Sequence, residues 1–183
     1  ATYHFHSRRQ REKGEITMFD DLNREEADSI IQQAKQERRS ALWEMEAVNL
    51  LKAYGLPVPR AGIASTEEEA VQIAEQFSSP VAMKVISEQI IHKIDVGGVQ
   101  LNLSDPREVR SAYQSILKSC SENKPEAEIN GMFIQEMIPE GVEVILGVKN
   151  DPSFGPVVMF GLGGTFVEIF RDVSFRIPPF GAR

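Results

Sequence analysis

At 183 residues, with 42% apolar and 26% charged side chains, the chain is long enough for one domain or two small subdomains around a real core. Its net charge of -7 argues against nucleic-acid binding, which needs a basic stripe, and leaves local nucleotide sites open. The lone cysteine, Cys120, rules out an internal disulfide and a thiol-built zinc cluster and fits a reducing cytoplasm; no apolar run approaches the ~18 residues of a membrane-spanning helix.

Residues 1–22 read as a polar tail or linker with a basic cluster (Arg8, Arg9, Arg11, Lys13), in which His4 and His6 are incidental. A helix is expected from Asn23 to Arg39, with Ala27, Ile30, Ile31 and Ala34 on one stripe. A second runs from Ala41 to Tyr54 and stops at Gly55; Leu56-Pro57-Val58-Pro59 then forces an extended segment. Ala61 to Ala64 is a short strand. Ser65 and Glu68 suggest a capping box for a helix that buries Ala70, Val71, Ala74 and Phe77.

Val81 to Ile86 is a strand apolar enough to be buried on both faces. Val99 to Leu103 is another, with Val99, Leu101 and Leu103 expected inward. Asp105, Pro106 and Glu108 start a helix with cap, N1 proline and first-turn acid in place. Its apolar face is Val109, Ala112, Tyr113, Ile116, Leu117 and Cys120, which makes Cys120 a core residue. Met132 to Met137, Val142 to Val148, Val157 to Phe160 and Thr165 to Phe170 are candidate strands. Residues Asn150 to Gly155 form a hairpin turn between the second and third. The organisation is therefore an α/β subdomain over 23–130, with its helical lead-in, followed by a β-rich subdomain over 131–183. The absence of a closing element after Pro178 suggests a C-terminally incomplete chain.

Lys84 is a charge inside an apolar strand, which is costly without a partner. It either snorkels to water or faces an anion, and its mid-strand position favours the anion. One strand later, Asp95-Val96-Gly97-Gly98 is either a plain turn or a backbone cradle for phosphate. His92, an ordinary surface residue if isolated, becomes a candidate phosphoryl acceptor beside such a cradle. Glu136 and Met137 lead a connector of the kind an adenine lies against; a simple acidic hairpin is the alternative. Glu143 heads an apolar strand and is the acid suited to ribose hydroxyls. Phe160-Gly161-Leu162-Gly163-Gly164-Thr165 is a second glycine turn, of the kind that is often structural, followed by Glu168 and Asp172; Glu168, among apolar neighbours, either pairs with Arg171 or Arg176 or serves the site.

These pieces together resemble one family. They are Leu50-Leu51-Lys52-Ala53-Tyr54-Gly55-Leu56-Pro57-Val58-Pro59, the Lys84 strand, His92-Lys93 through Val99, and Phe160 through Glu168 with Asp172 to Arg176. They are similar to the ATP-grasp β subunit, or β region, of ADP-forming acetyl-CoA (acyl-CoA) synthetases, relatives of succinyl-CoA synthetase, over roughly Ala41 to Pro179. The resemblance implies an ATP-grasp fold and an acid–thiol ligase. Its reaction converts acyl-CoA, ADP and phosphate to acid, CoA and ATP. It implies that Lys84, Gly97 and Gly98 hold nucleotide phosphates, that Glu136 and Met137 lie at the adenine, and that Glu143 lies near ribose or phosphates. His92 is then the carrier that receives a phosphoryl group from a histidine of the acyl-CoA-handling α subunit, or fused α region, and passes it to ADP. Asp95, Glu168 and Asp172 match family positions without a fixed role. ATP or ADP and Mg2+ are the implied cofactors. The family's metal-binding Asp-Ile-Asn-Pro-type segment is absent here, so no metal ligand is assigned and this piece alone is expected to be inactive. Ile94 stands where the family usually has a small hydroxyl residue.

The expected setting is a cytoplasmic, oligomeric assembly with small-molecule substrates and neither nucleic acid nor membrane. A competing reading keeps the fold without catalysis, as a regulatory region of a protein lysine acetyltransferase. A third is an interaction fragment that binds nucleotide weakly.

Overall fold

The computed structural model describes residues 22–164 and 173–178. The chain divides into two compact units, one spanning Asp21–Pro139 and the other holding the described residues from Glu140 onward.

The first unit begins with two helices, α1 (Arg24–Gln36) and α2 (Glu44–Ala53). Both are shorter than the periodicity suggests. The first ends where Arg38 takes φ +57° and the Arg39 N–H turns back to the Ala34 carbonyl at 2.9 Å; the Arg39 guanidinium then bonds the Ala41 carbonyl at 3.1 Å and grips Glu46 at 2.7 and 2.8 Å. Glu46 in turn accepts from the Trp43 N–H at 2.8 Å, so the second helix starts after Trp43 rather than at Ala41. Next come β1 (Ala61–Ala64), α3 (Glu67–Glu75), β2 (Val81–Ile86), β3 (Val99–Leu103), α4 (Pro106–Asn123) and β4 (Gly131–Glu136).

The four strands form an antiparallel sheet in the order β1-β4-β2-β3. β2 lies inside it, which is why its sequence is apolar almost throughout. Val81, Met83 and Val85, with Met132 and Ile134 of β4, meet α3 and α4 in the main core. From α4 come Val109, Ala112, Tyr113, Ile116 and Cys120, all buried; Leu117 is only partly so. Asp105 caps that helix as expected, accepting from the Arg107 and Glu108 N–H groups at 2.7 and 2.9 Å, a cap worth about 1 kcal/mol.

Three expectations need correction. The capping box of α3 shifts by one residue: Thr66 accepts from the Glu69 N–H at 3.2 Å, and Glu69 accepts from the Ser65 N–H at 2.7 Å. In β3 the inward alternation breaks. A two-residue step from Val81 to Met83 opposes a three-residue step from Leu103 to Gln100, and Asn102 has φ +59°. This bulge leaves Leu103 opposite Val81 on the core side but sets Val99 opposite Lys84, on the other face, while Leu101 is 53% exposed. Finally, β4, which the sequence assigned to the second subdomain, pairs with β1 and β2, so the first unit extends through Pro139 rather than residue 130.

The second unit contains β5 (Val144–Asp151), β6 (Gly155–Leu162) and β7 (Val173–Arg176), antiparallel in that order. The β5–β6 hairpin closes where expected. Asp151 accepts from the Ser153 and Phe154 N–H groups at 2.9 and 3.1 Å, and Gly155 takes φ +71°. The expected strand Thr165–Phe170 lies outside the described residues. β7 was not anticipated from the sequence; it pairs Ser174 with Phe160 and Phe175 with Met159.

Candidate nucleotide site

Strand alternation sends Met83 and Val85 of β2 into the core and Lys84 to the opposite face. There Lys84 lies opposite Phe133 on β4 and Val99 on β3. Its ammonium donates to Gln135 Oε1 at 3.0 Å and sits 5.8 Å from the centre of the buried Phe133 ring. Among the described residues Gln135 is its only hydrogen-bond partner. Burial pushes the Lys84 pKa down; the carboxylate of Glu44 works against that, and the ammonium of Lys93 adds to it. The result is a half-covered cation with one neutral partner and unspent donors, a group suited to an incoming anion.

The loop after β2 returns to the sheet beside this lysine. The Val85 N–H donates to the Gly98 carbonyl at 2.9 Å. His92 stands exposed on a tight turn, its carbonyl accepting from the Asp95 N–H at 3.2 Å; Asp95 is exposed too. Lys93, next in sequence, forms a 2.6 Å ion pair with Glu44. Ile91 and Ile94 are about four-fifths exposed, at 81% and 80%, on either side of the histidine, and Val96 anchors the loop in the core.

The glycine pair does not form the open cradle expected of it. The Gly97 N–H donates to Ile94 O at 3.1 Å and the Gly98 N–H to Lys93 O at 2.7 Å, so both are used within the loop. The glycines are required for packing. A Cβ on Gly98 would lie 2.6 Å from Val85 Cγ1 and 2.9 Å from Lys93 O, and Gly97 has φ +68° with Ser119 Cβ 2.9 Å from its Cβ position.

Glu136 is likewise committed. Its carboxylate takes both arms of Arg60 at 2.9 Å and the Ser79 hydroxyl at 3.1 Å. The Arg60 guanidinium holds the Glu136 carboxyl down at about 2. The Glu136 and Met137 N–H groups donate to Arg60 O and Pro80 O at 2.9 and 2.8 Å. Neither the side chain nor these donors are free for an adenine in this arrangement.

In the second unit, Glu143 is exposed and abuts the second glycine turn. Its carbonyl accepts from the Gly163 N–H at 2.8 Å, and a Cβ on Gly164 would fall 2.6 Å from its Oε2. Glu168 and Asp172 lie outside the described residues. Among the described residues no three His, Cys, Asp or Glu side chains converge as a metal site, and no helix is long and apolar enough to cross a membrane.

A cleft of about 440 Å3 opens between the start of α2 and the loop, lined by residues including Arg39, Trp43, Glu44, Ser87, Ile90 and Lys93. Neither Lys84 nor His92 lines it. A larger concavity of about 710 Å3 lies on the second sheet, among Val148, Phe154, Met159, Phe175 and Ile177. It is apolar and distant in character from phosphate chemistry. Sequence reasoning missed Gln135, Phe133 and Glu44. The first two had a signal: on a strand paired in register with β2, alternate residues 133 and 135 share the Lys84 face.

Residues 33–183 match the family model of the ATP-grasp domain. The chain is 50% identical over 153 residues to the beta subunit of ADP-forming acetate–CoA ligase I of Pyrococcus furiosus, covering 84% of this chain and 66% of that one. It is 46% identical over 166 residues to the ADP-forming 4-hydroxybutyrate–CoA ligase of Nitrosopumilus maritimus, covering 91% of this chain but 24% of that protein. Among solved structures it superposes with a TM-score of 0.80 and 48% identity on the dinucleotide-forming acetyl-coenzyme A synthetase 1 of Ca. Korarchaeum cryptofilum in complex with coenzyme A and Ca-AMPCP, covering 85% and 68% of the two chains. Another structure of that protein holds Mg-AMPPCP, with a phosphohistidine segment pointing towards the nucleotide binding site. The chain thus spans about two thirds of the Pyrococcus subunit and about a quarter of the Nitrosopumilus ligase.

Proposed function

Because the chain belongs to the ATP-grasp family, on the line of the ADP-forming acetyl-CoA synthetase β subunits, we propose that it is the nucleotide-binding part of an ADP-forming acyl-CoA synthetase. The observation that carries this reading is Lys84: a half-buried cation bonded, among the described residues, only to neutral Gln135, with a histidine-bearing loop stitched to the adjacent residue. Phosphoryl transfer asks the protein for charge neutralisation and placement above all. Lys84 supplies charge for the nucleotide tail, Gln135 fixes the direction of the ammonium, and His92 is exposed enough to meet a donor. In the transfer an imidazole nitrogen takes the phosphoryl group as the donor's bond to phosphorus breaks, and the ADP β-phosphate oxygen then takes it from the imidazole. Glu143 keeps the ribose or phosphate contact that the resemblance implies, and Asp95, Glu168 and Asp172 match family positions with no step assigned to them.

Bound magnesium would add charge neutralisation on the phosphates. Among the described residues no three His, Cys, Asp or Glu side chains converge to hold it. The acyl-CoA chemistry belongs to an α subunit or fused α region, and the assembly acts as a cytoplasmic oligomer.

A regulatory, non-catalytic role is favoured by one observation, the internal bonding of the Gly97 and Gly98 N–H groups. One experiment separates the two. The intact protein, with its acyl-CoA-handling partner, is incubated with acyl-CoA and radiolabelled phosphate. Acid-labile label on the His92 peptide, lost in His92→Ala, is the expected result. In Lys84→Ala, ADP affinity should fall by about tenfold or more, as expected for a lost charge-assisted contact. Undiminished labelling of the peptide that carries position 92 in His92→Ala would refute the carrier role.

A further inference from the structure

Glu44 opens α2, and its Oε1 lies 2.6 Å from Lys93 Nζ; the two side chains are only 25% and 21% exposed. Lys93 directly follows His92. Its carbonyl accepts from the Gly98 N–H at 2.7 Å, and the Gly98 carbonyl accepts from the Val85 N–H at 2.9 Å. A continuous set of contacts therefore runs from α2 through the histidine turn to the residue beside Lys84. Lys84 feels both members of the pair: after burial, Glu44 and Lys93 are the charges that act on it, in opposite senses.

We propose that Glu44 is a positioning residue for His92, acting through Lys93. A lysine on an exposed turn samples many rotamers and holds nothing in place. Here the partner carboxylate sits on a helix, and the pair is largely withdrawn from water, so salt screens it less than a surface pair. Removing the carboxylate leaves a mostly covered ammonium unpaired. The turn relieves that cost by swinging Lys93 outward, and His92 moves with it. The same substitution strips Lys84 of its nearby negative charge. The consequence for phosphoryl transfer rests on the nucleotide reading above.

The test is amide hydrogen exchange on the intact protein, read at Asp95, Gly97 and Gly98, whose N–H groups bond to the His92, Ile94 and Lys93 carbonyls. Glu44→Gln should speed exchange there by about tenfold, a local opening, while the amides of β4, and those of β2 other than Val85, stay slow. The charge swap Glu44→Lys with Lys93→Glu should restore slow exchange, a rescue that a merely space-filling role would not give. Labelling of His92 should fall in the single variant and recover in the swap. Unchanged exchange in Glu44→Gln, or failure of the swap to restore it, overturns the proposal. Absence of ATP binding or of His92 labelling in the unsubstituted protein would sink the nucleotide reading and leave the exchange result standing.

Discussion

The two sheets of this chain are built on the same antiparallel pairing but reach different ends. In the first, alternation along β2 and β4 resolves into a face packed on α3 and α4 and a second face that holds Lys84. In the second, the face made by Val144, Leu146, Val148, Phe160 and Leu162 is between 45% and 70% exposed. Ladder bonds and the Asp151 turn suffice to define the β5–β6 hairpin. Among the described residues they do not make a core. Pairing is local and cheap to specify, whereas burial needs a second layer.

The largest test of that contrast is truncation in each sheet. Met83→Ala, at a fully buried position, should cost about 2–5 kcal/mol in a denaturation titration, as large-to-small core changes do. Leu146→Ala, at a site 68% exposed, should cost below about 1 kcal/mol. Equal effects would mean that the second face is covered in solution. A smaller effect comes from glycine. Gly98→Ala forces Cβ against Val85 and a backbone carbonyl and should cost about 1–3 kcal/mol. Gly155→Ala meets open space and bears only the strain of its φ of +71°, about 1 kcal/mol. The difference, read as a shift in denaturation midpoint, isolates packing from backbone strain.

The smallest effect concerns pH. The Glu136 carboxyl is held at about 2 against an ordinary 4.5. A depressed carboxyl stabilises the folded state at pH above 4.5 and loses that contribution as pH falls toward 2. Glu136→Gln should therefore melt below the parent at neutral pH, and the gap should close on acidification across that window. A gap independent of pH would assign the effect to packing.

Much of the first unit is legible in the sequence. The Asp105-Pro106 start, the face of α4 and the buried run of β2 depend on short-range pattern, and each is found as read. Where the pattern fails, a longer-range cause stands behind it. Val99 and Leu101 leave their expected face because β3 carries an extra residue, and nothing in five residues announces a bulge. Gly97 and Gly98 look like an anion cradle in sequence. Their role is set instead by Val85 and Ser119, which arrive from other elements. Glu136 reads as a free acid until Arg60, distant in sequence, comes to meet it. Lys84 is legible because a charge in an apolar strand violates local consistency, and such violations gather at functional positions. Gln135 becomes visible only once β4 is placed beside β2.

The kink at Asn102 also matters outside the site. Among the described residues β3 forms one border of its sheet, the kind of position where unpaired amides and carbonyls invite another chain to dock. The extra residue interrupts the regular spacing of those groups and twists the border strand, so a straight incoming strand finds no continuous row to match. The irregularity that hid Leu101 from pattern reading thus discourages self-association along that border.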